Sequence, residues 1–112
     1  MELQLKMDEL QPVVLLAKDW PIGKCLGKVT EEYSEFILAN RNHVRAINKL
    51  YDNDDRKLAN ADIDNARHAM ILEAIDTMTA IRTLLWKMGI DDDKFKKYVT
   101  EVNVKNSDRG YF

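Results

Sequence analysis

Residues 24–50 read KCLGKVTEEYSEFILANRNHVRAINKL. Leu26, Val29, Tyr33, Phe36, Ile37, Val44 and Ile47 recur in it at spacings of three and four, which is how one buried face of a helix is written. The spacing predicts a helix from about Lys24 to Leu50, weakened at Gly27 and open to a bend or an interruption near Asn40-Arg41-Asn42. Upstream, Trp20-Pro21-Ile22-Gly23 reads as a break. Before the break, Asp8 is a suitable cap for a first helix running to about Asp19, with Pro12 in its early turns where a missing N–H does least harm. Downstream, Tyr51 to Arg56 reads as a polar connection. It faintly resembles a calcium loop, but the required Gly is absent and Arg56 falls where an oxygen ligand belongs. A third helix is expected from Asn60 or Ala61 to Met88, with Met70, Ala74, Ile75, Met78, Ile81, Leu85 and Met88 along one face. Gly89 is its natural stop. Asp91, Asp92 and Asp93 suit the start of a fourth helix, whose positive dipole end favours carboxylates. Phe95, Tyr98, Val99 and Val102 give that helix its stripe, and Lys105 to Phe112 follows as a polar, then aromatic, tail. No useful strand-like alternation exists. The expected fold is all-α, a bundle of about four helices.

Composition narrows the class. At 112 residues the chain is expected to form a single domain, 1–112, and its 46% apolar and 32% charged content fits a folded protein. A net charge of −2 supplies no general attraction for nucleic acid or an anionic membrane, so neither is an expected partner. A polyphosphate ligand would need a metal ion or a local basic cluster. No apolar run reaches the roughly 18 residues of a membrane span, and no signal-peptide pattern opens the chain. The single cysteine, Cys25, cannot form an internal disulfide. A reducing, cytoplasmic setting is the expectation, with Cys25 a small buried residue and not a nucleophile.

The chemistry-bearing residues are carboxylates. The second helix carries Glu31-Glu32-Tyr33-Ser34-Glu35 and the third Glu73-Ala74-Ile75-Asp76. Residues three or four apart share a helix face, so Glu32 neighbours Glu35 and Glu73 neighbours Asp76. Glu32 and Glu73 each border an apolar stripe. If the stripes pack together, both acidic pairs meet at the rim of a shared core, where their repulsion calls for Mg²⁺ or Mn²⁺. The plainer reading is a solvated surface, with Glu31 or Glu35 paired to Lys28 or Arg41. A di-iron or di-manganese bundle wants Glu-x-x-His, and neither His43 nor His68 has a Glu three residues before it.

The order Glu31-Glu32-x-x-Glu35 then Glu73-x-x-Asp76 resembles the paired motif of the MazG-like all-α nucleoside triphosphate pyrophosphohydrolases. Lys28-Val29-Thr30 looks like the family's lead-in, and Met88-Gly89-Ile90-Asp91 with Asn106-Ser107-Asp108-Arg109-Gly110-Tyr111 looks like its C-terminal part. The match covers roughly residues 20 to 112. The resemblance implies that Glu32, Glu35, Glu73 and Asp76 hold Mg²⁺ and that Glu31 assists as an outer ligand or orients water. It implies that Asn106 and Arg109 reach the nucleotide's phosphates or sugar, Arg109 through a planar guanidinium suited to phosphate. The implied reaction is attack of water on the α-phosphorus of a nucleoside triphosphate, expelling pyrophosphate with no covalent intermediate. The implied assembly is a homodimer or homotetramer, with Val13-Val14-Leu15-Leu16 and the fourth helix as interface candidates. Two departures stand out. The separation of Glu35 from Glu73, positions 36 to 72, is longer than the family motif usually allows, which implies longer helices or an inserted loop around Tyr51 to Asn60. The family often has a Lys four residues before the tail Asn, where this chain has Val102; Lys105 is the substitute. The rival readings are a phosphoribosyl-ATP pyrophosphohydrolase and a non-enzymatic helical interaction module.

Overall fold

The computed structural model describes residues 19–52 and 56–111, the side chains of 51 and 52 excepted. The expected first helix, with Pro12 and the Val13–Leu16 face, lies outside the described residues up to position 18. Within them are three helices: α1 (Ile22–Asp52), α2 (Arg56–Lys87) and α3 (Asp92–Asp108), and no strand. The all-α expectation holds among the described residues.

Local signals place the ends. The Pro21 carbonyl accepts from the Lys24 and Cys25 amides at 3.0 and 3.2 Å, which starts α1 directly after the break. At the far end of α2, Gly89 adopts φ +87°, and the Ile90 amide donates to the Leu85 carbonyl at 3.0 Å, a glycine C-cap as expected. Asp91 caps α3, its side chain accepting from the Lys94 amide at 2.9 Å, with Asp92 and Asp93 in the first turn.

Three expectations are corrected. Helix α1 runs unbroken through Asn40-Arg41-Asn42, because Asn within a helix costs only a few tenths of a kcal/mol, roughly 0.7 at most, and its neighbours pack. Arg56 to Asn60 is helical, not loop, so the long separation of Glu35 from Glu73 is taken up largely by longer helices. The segment expected as a tail is the end of α3: Lys105 to Asp108 are helical, and Gly110 at φ +79° lets the Tyr111 amide close onto the Asn106 carbonyl at 3.0 Å.

The largest correction concerns faces. Cys25, Glu32, Ala39 and Ala46 are buried on α1, each seven residues from the next. On α2, buried Ala59 and Ala80 are linked by half-buried Ala66 and Glu73 in the same seven-residue step. A repeat of seven keeps one seam facing a nearly parallel or antiparallel partner. Small side chains bring the two backbones close, and Thr77 Oγ1 donates across the seam to the Glu32 carbonyl at 3.1 Å. Glu32 and Glu73 sit level with one another on this seam, with the small residues of both helices spaced along it in steps of seven. The bulky stripe of α2 expected to pack inward lies outside it: Ile75, Met78, Ile81 and Met88 are exposed.

Helix α3 stands away from this pair, since no Cα of α3 comes within 8 Å of one in α1 or α2. It is tethered at its start by Arg82, which reaches Asp92 at 2.7 Å and stacks on Phe95 at 3.8 Å. The Cα radius of gyration, 17.9 Å, exceeds the roughly 13 Å of a compact chain of this length. Among the described residues no helix is long and apolar enough to cross a membrane.

Candidate metal centre

The two glutamates interrupt an otherwise small-residue seam at the same level. Glu32 of α1 and Glu73 of α2 therefore enter the helix interface from opposite sides, and Asp76 follows one turn after Glu73. One oxygen from each of Glu32, Glu73 and Asp76 lies within 4.8 Å of the others. Glu31, Glu32 and Glu35 form a second such triad along α1, so Glu32 belongs to both.

Burial separates this cluster from a solvated acidic surface. The Glu32 side chain is only 9% exposed, and its Oε2 is buried with no hydrogen-bond partner; the same is true of Glu73 Oε2. A buried carboxylate oxygen without a donor costs on the order of 1–3 kcal/mol or more, and Glu32 and Glu73 each carry one on facing helices within the same cluster. Oxygens around one Mg²⁺ at about 2.0–2.1 Å sit about 3–4 Å apart, and the Glu32, Glu73 and Asp76 oxygens lie within 4.8 Å of one another. The donor set is all oxygen, which selects Mg²⁺ or Mn²⁺ over softer metals. These residues fit a divalent ion.

The electrostatics agree. The Glu35 carboxyl is held above its ordinary value, chiefly by the charge on Glu32, then by lost solvation and the charges of Glu73 and Glu31. Lys28 is pushed up, first by its hydrogen bond to Glu32, against the opposing effect of burial. Its Nζ lies 2.8 Å from Glu32 Oε1 and 3.3 Å from Glu31 Oε1.

Thr77 fixes the geometry of the pair. Its hydroxyl is shared between the Glu32 carbonyl at 3.1 Å and the Glu73 carbonyl at 2.8 Å, linking the backbones of the two seam glutamates. The sequence reading missed Thr77, Lys28 as the partner of Glu32, and the seven-residue seam. The signal for the seam was present: a small residue every seventh position, interrupted by Glu32 and Glu73. The candidate substrate residues are elsewhere. Lys105, Asn106 and Arg109 lie at the far end of α3, and the described chain does not bring them to the carboxylates.

No protein-family model, no curated protein sequence and no solved structure matches this chain.

Proposed function

We propose that this chain is a Mg²⁺-dependent pyrophosphohydrolase of the MazG-like type, cleaving nucleoside triphosphates to monophosphate and pyrophosphate. The observation that carries this reading is the pairing of buried Glu32 with half-buried Glu73, each with an unpartnered buried oxygen, beside Asp76. Glu32, Glu35, Glu73 and Asp76 are the ligands. A divalent ion held there, Mg²⁺ or Mn²⁺, would supply neutralisation of triphosphate charge and a more acidic water. Glu31, whose side chain is 58% exposed at the open edge of the cluster, orients the attacking water and takes its proton. The bond from water oxygen to the α-phosphorus forms as the bond from that phosphorus to the bridging oxygen breaks, and pyrophosphate leaves with the electron pair.

The functional unit in this proposal is a homodimer or a pair of dimers, in which two α1–α2 pairs complete a four-helix bundle. Ile75, Met78 and Ile81, 41–53% exposed, form the core of that contact. Fully burying such a side chain contributes about 1.5–3 kcal/mol, which the alanine-rich seam alone does not supply. Lys105, Asn106 and Arg109 then serve the nucleotide across the assembly, from the α3 of a second copy.

The test is release of pyrophosphate from a panel of ribo- and deoxyribonucleoside triphosphates and phosphoribosyl-ATP, with Mg²⁺, Mn²⁺ or EDTA. The expected result is monophosphate plus pyrophosphate, lost in EDTA and restored by Mg²⁺. Turnover of phosphoribosyl-ATP alone would move the substrate to that compound. Release of orthophosphate, or no turnover on any substrate, would refute the proposal.

A further inference from the structure

The two carboxylate triads share Glu32 but differ in what answers their charge. The inner triad, Glu32, Glu73 and Asp76, includes both residues with unpartnered buried oxygens. In the outer triad, Glu31, Glu32 and Glu35, the first two are already bridged by a cation of the chain itself. Lys28 stands one helical turn before Glu32, and its ammonium lies 2.8 Å from Glu32 Oε1 and 3.3 Å from Glu31 Oε1. Its side chain is only 26% exposed. An ammonium and a divalent ion cannot share those oxygens, because like charges a few ångströms apart repel by several kcal/mol at the low effective dielectric near a protein interior.

From this juxtaposition we infer that the inner triad holds one resident divalent ion, while the Lys28 ammonium occupies the outer triad until a nucleoside triphosphate arrives carrying a second ion. This rests on the metal centre proposed above and gives it an order of loading. The arriving polyphosphate supplies both things the exchange requires: an ion for Glu32 and Glu35, whose water Glu31 orients, and anionic oxygens for the displaced ammonium. Lys28 is thus a positioning residue that keeps the outer subsite closed to free ions. The polyphosphate-bound ion is accepted because Lys28 exchanges carboxylate oxygens for phosphate oxygens and loses no pairing. The selected substrate is then a metal–nucleotide complex, not a free nucleotide.

The experiment counts Mn²⁺ bound per chain by electron paramagnetic resonance, without nucleotide, in wild type, Lys28→Gln and Lys28→Arg. The expected result is one ion in wild type and in Lys28→Arg, and two in Lys28→Gln, the second binding roughly tenfold or more tighter than in wild type. One ion in Lys28→Gln, or two in wild type, would overturn the role of Lys28 while leaving the metal centre standing. No ion in wild type would overturn the metal centre itself. Should Lys28→Gln not fold, the wild-type Lys28 side-chain ammonium resonance decides. It should persist through the first equivalent of Mg²⁺ and shift only when a non-hydrolysable Mg²⁺–triphosphate analogue is added. Its loss at the first equivalent would overturn the inference.

Discussion

The seam between α1 and α2 and the outer face of α2 divide residue types in the reverse of the usual order. The seam buries Cys25, Ala39, Ala46, Ala59, Ala80 and a glutamate, while Ile71, Ile75, Met78 and Ile81 face outward. A seam of small residues brings two helices close enough for carboxylates on both to meet. It buries little apolar area, so it positions chemistry better than it stabilises. The outer stripe has the opposite character: large area, no chemistry. In the assembly proposed above, position and stability fall to different faces of one helix, and each face can be attacked separately.

The largest expected effect is on the charges that flank the seam. Glu35→Gln and Asp76→Asn should each abolish hydrolysis at saturating Mg²⁺ while helicity by circular dichroism is unchanged, since shape is kept and charge is lost. Wild-type turnover in either variant would remove that residue from the ligand set. On the outer face, Ile75→Asp with Met78→Asp should convert a multiple of the 13.0 kDa chain to monomer in light scattering, two buried apolar side chains being worth about 3–6 kcal/mol. An unchanged mass would mean that the stripe is covered from within the chain or not at all.

Smaller changes sharpen the comparison. Arg109→Ala should weaken transition-state binding by about 1.5–3 kcal/mol, read from kcat/KM, as for a charge-assisted hydrogen bond. Mixing Arg109→Ala with Asp76→Asn should restore part of the activity if α3 serves a second copy, and none if it serves its own. Thr77→Val removes the hydroxyl joining the Glu32 and Glu73 carbonyls. It should cost about 0.5–1.5 kcal/mol in denaturant unfolding and weaken Mg²⁺ binding with it. The smallest effect is a pH signature without metal. A carboxyl raised on folding makes the native state hold more protons from its ordinary value of 4.5 up to its raised one, so stability falls as pH climbs through that window. Glu35→Gln should therefore melt above wild type at neutral pH and match it below 4.5, and a difference of equal size at both would assign it to packing.

Much of this was legible in the sequence, for identifiable reasons. Asp91 and Gly89 act locally, through one side chain and one positive φ, so a few residues suffice to read them. The acidic spacing gave the right neighbours on each helix because i, i+3 and i, i+4 positions are fixed by helix geometry alone. The packing face of α2 was misread because periodicity weighs bulk. Ile75 and Met78 outweigh Thr77 and Ala80, whichever side they occupy. The extent of the long helices was misjudged at Asn40-Arg41-Asn42 and at Arg56 to Asn60, where local propensity is indifferent and tertiary contact decides. The Lys105 to Tyr111 segment was read as a tail because its polarity looks the same on an exposed helix. Lys28 was visible as a cation near Glu31, but its link to Glu32 needed the burial of that residue to matter.

The central claim is that the seam binds a divalent ion through Glu32, Glu73 and Asp76. Thermal unfolding of wild type and Glu73→Gln across a Mg²⁺ titration tests it most directly, because an ion bound only by the folded state stabilises by about 2.7 kcal/mol at a hundredfold excess over Kd. The account predicts a saturable rise in wild-type Tm, absent in Glu73→Gln, with the variant the more stable of the two before metal is added. A wild-type Tm indifferent to Mg²⁺ and Mn²⁺, or an equal rise in both proteins, would contradict it.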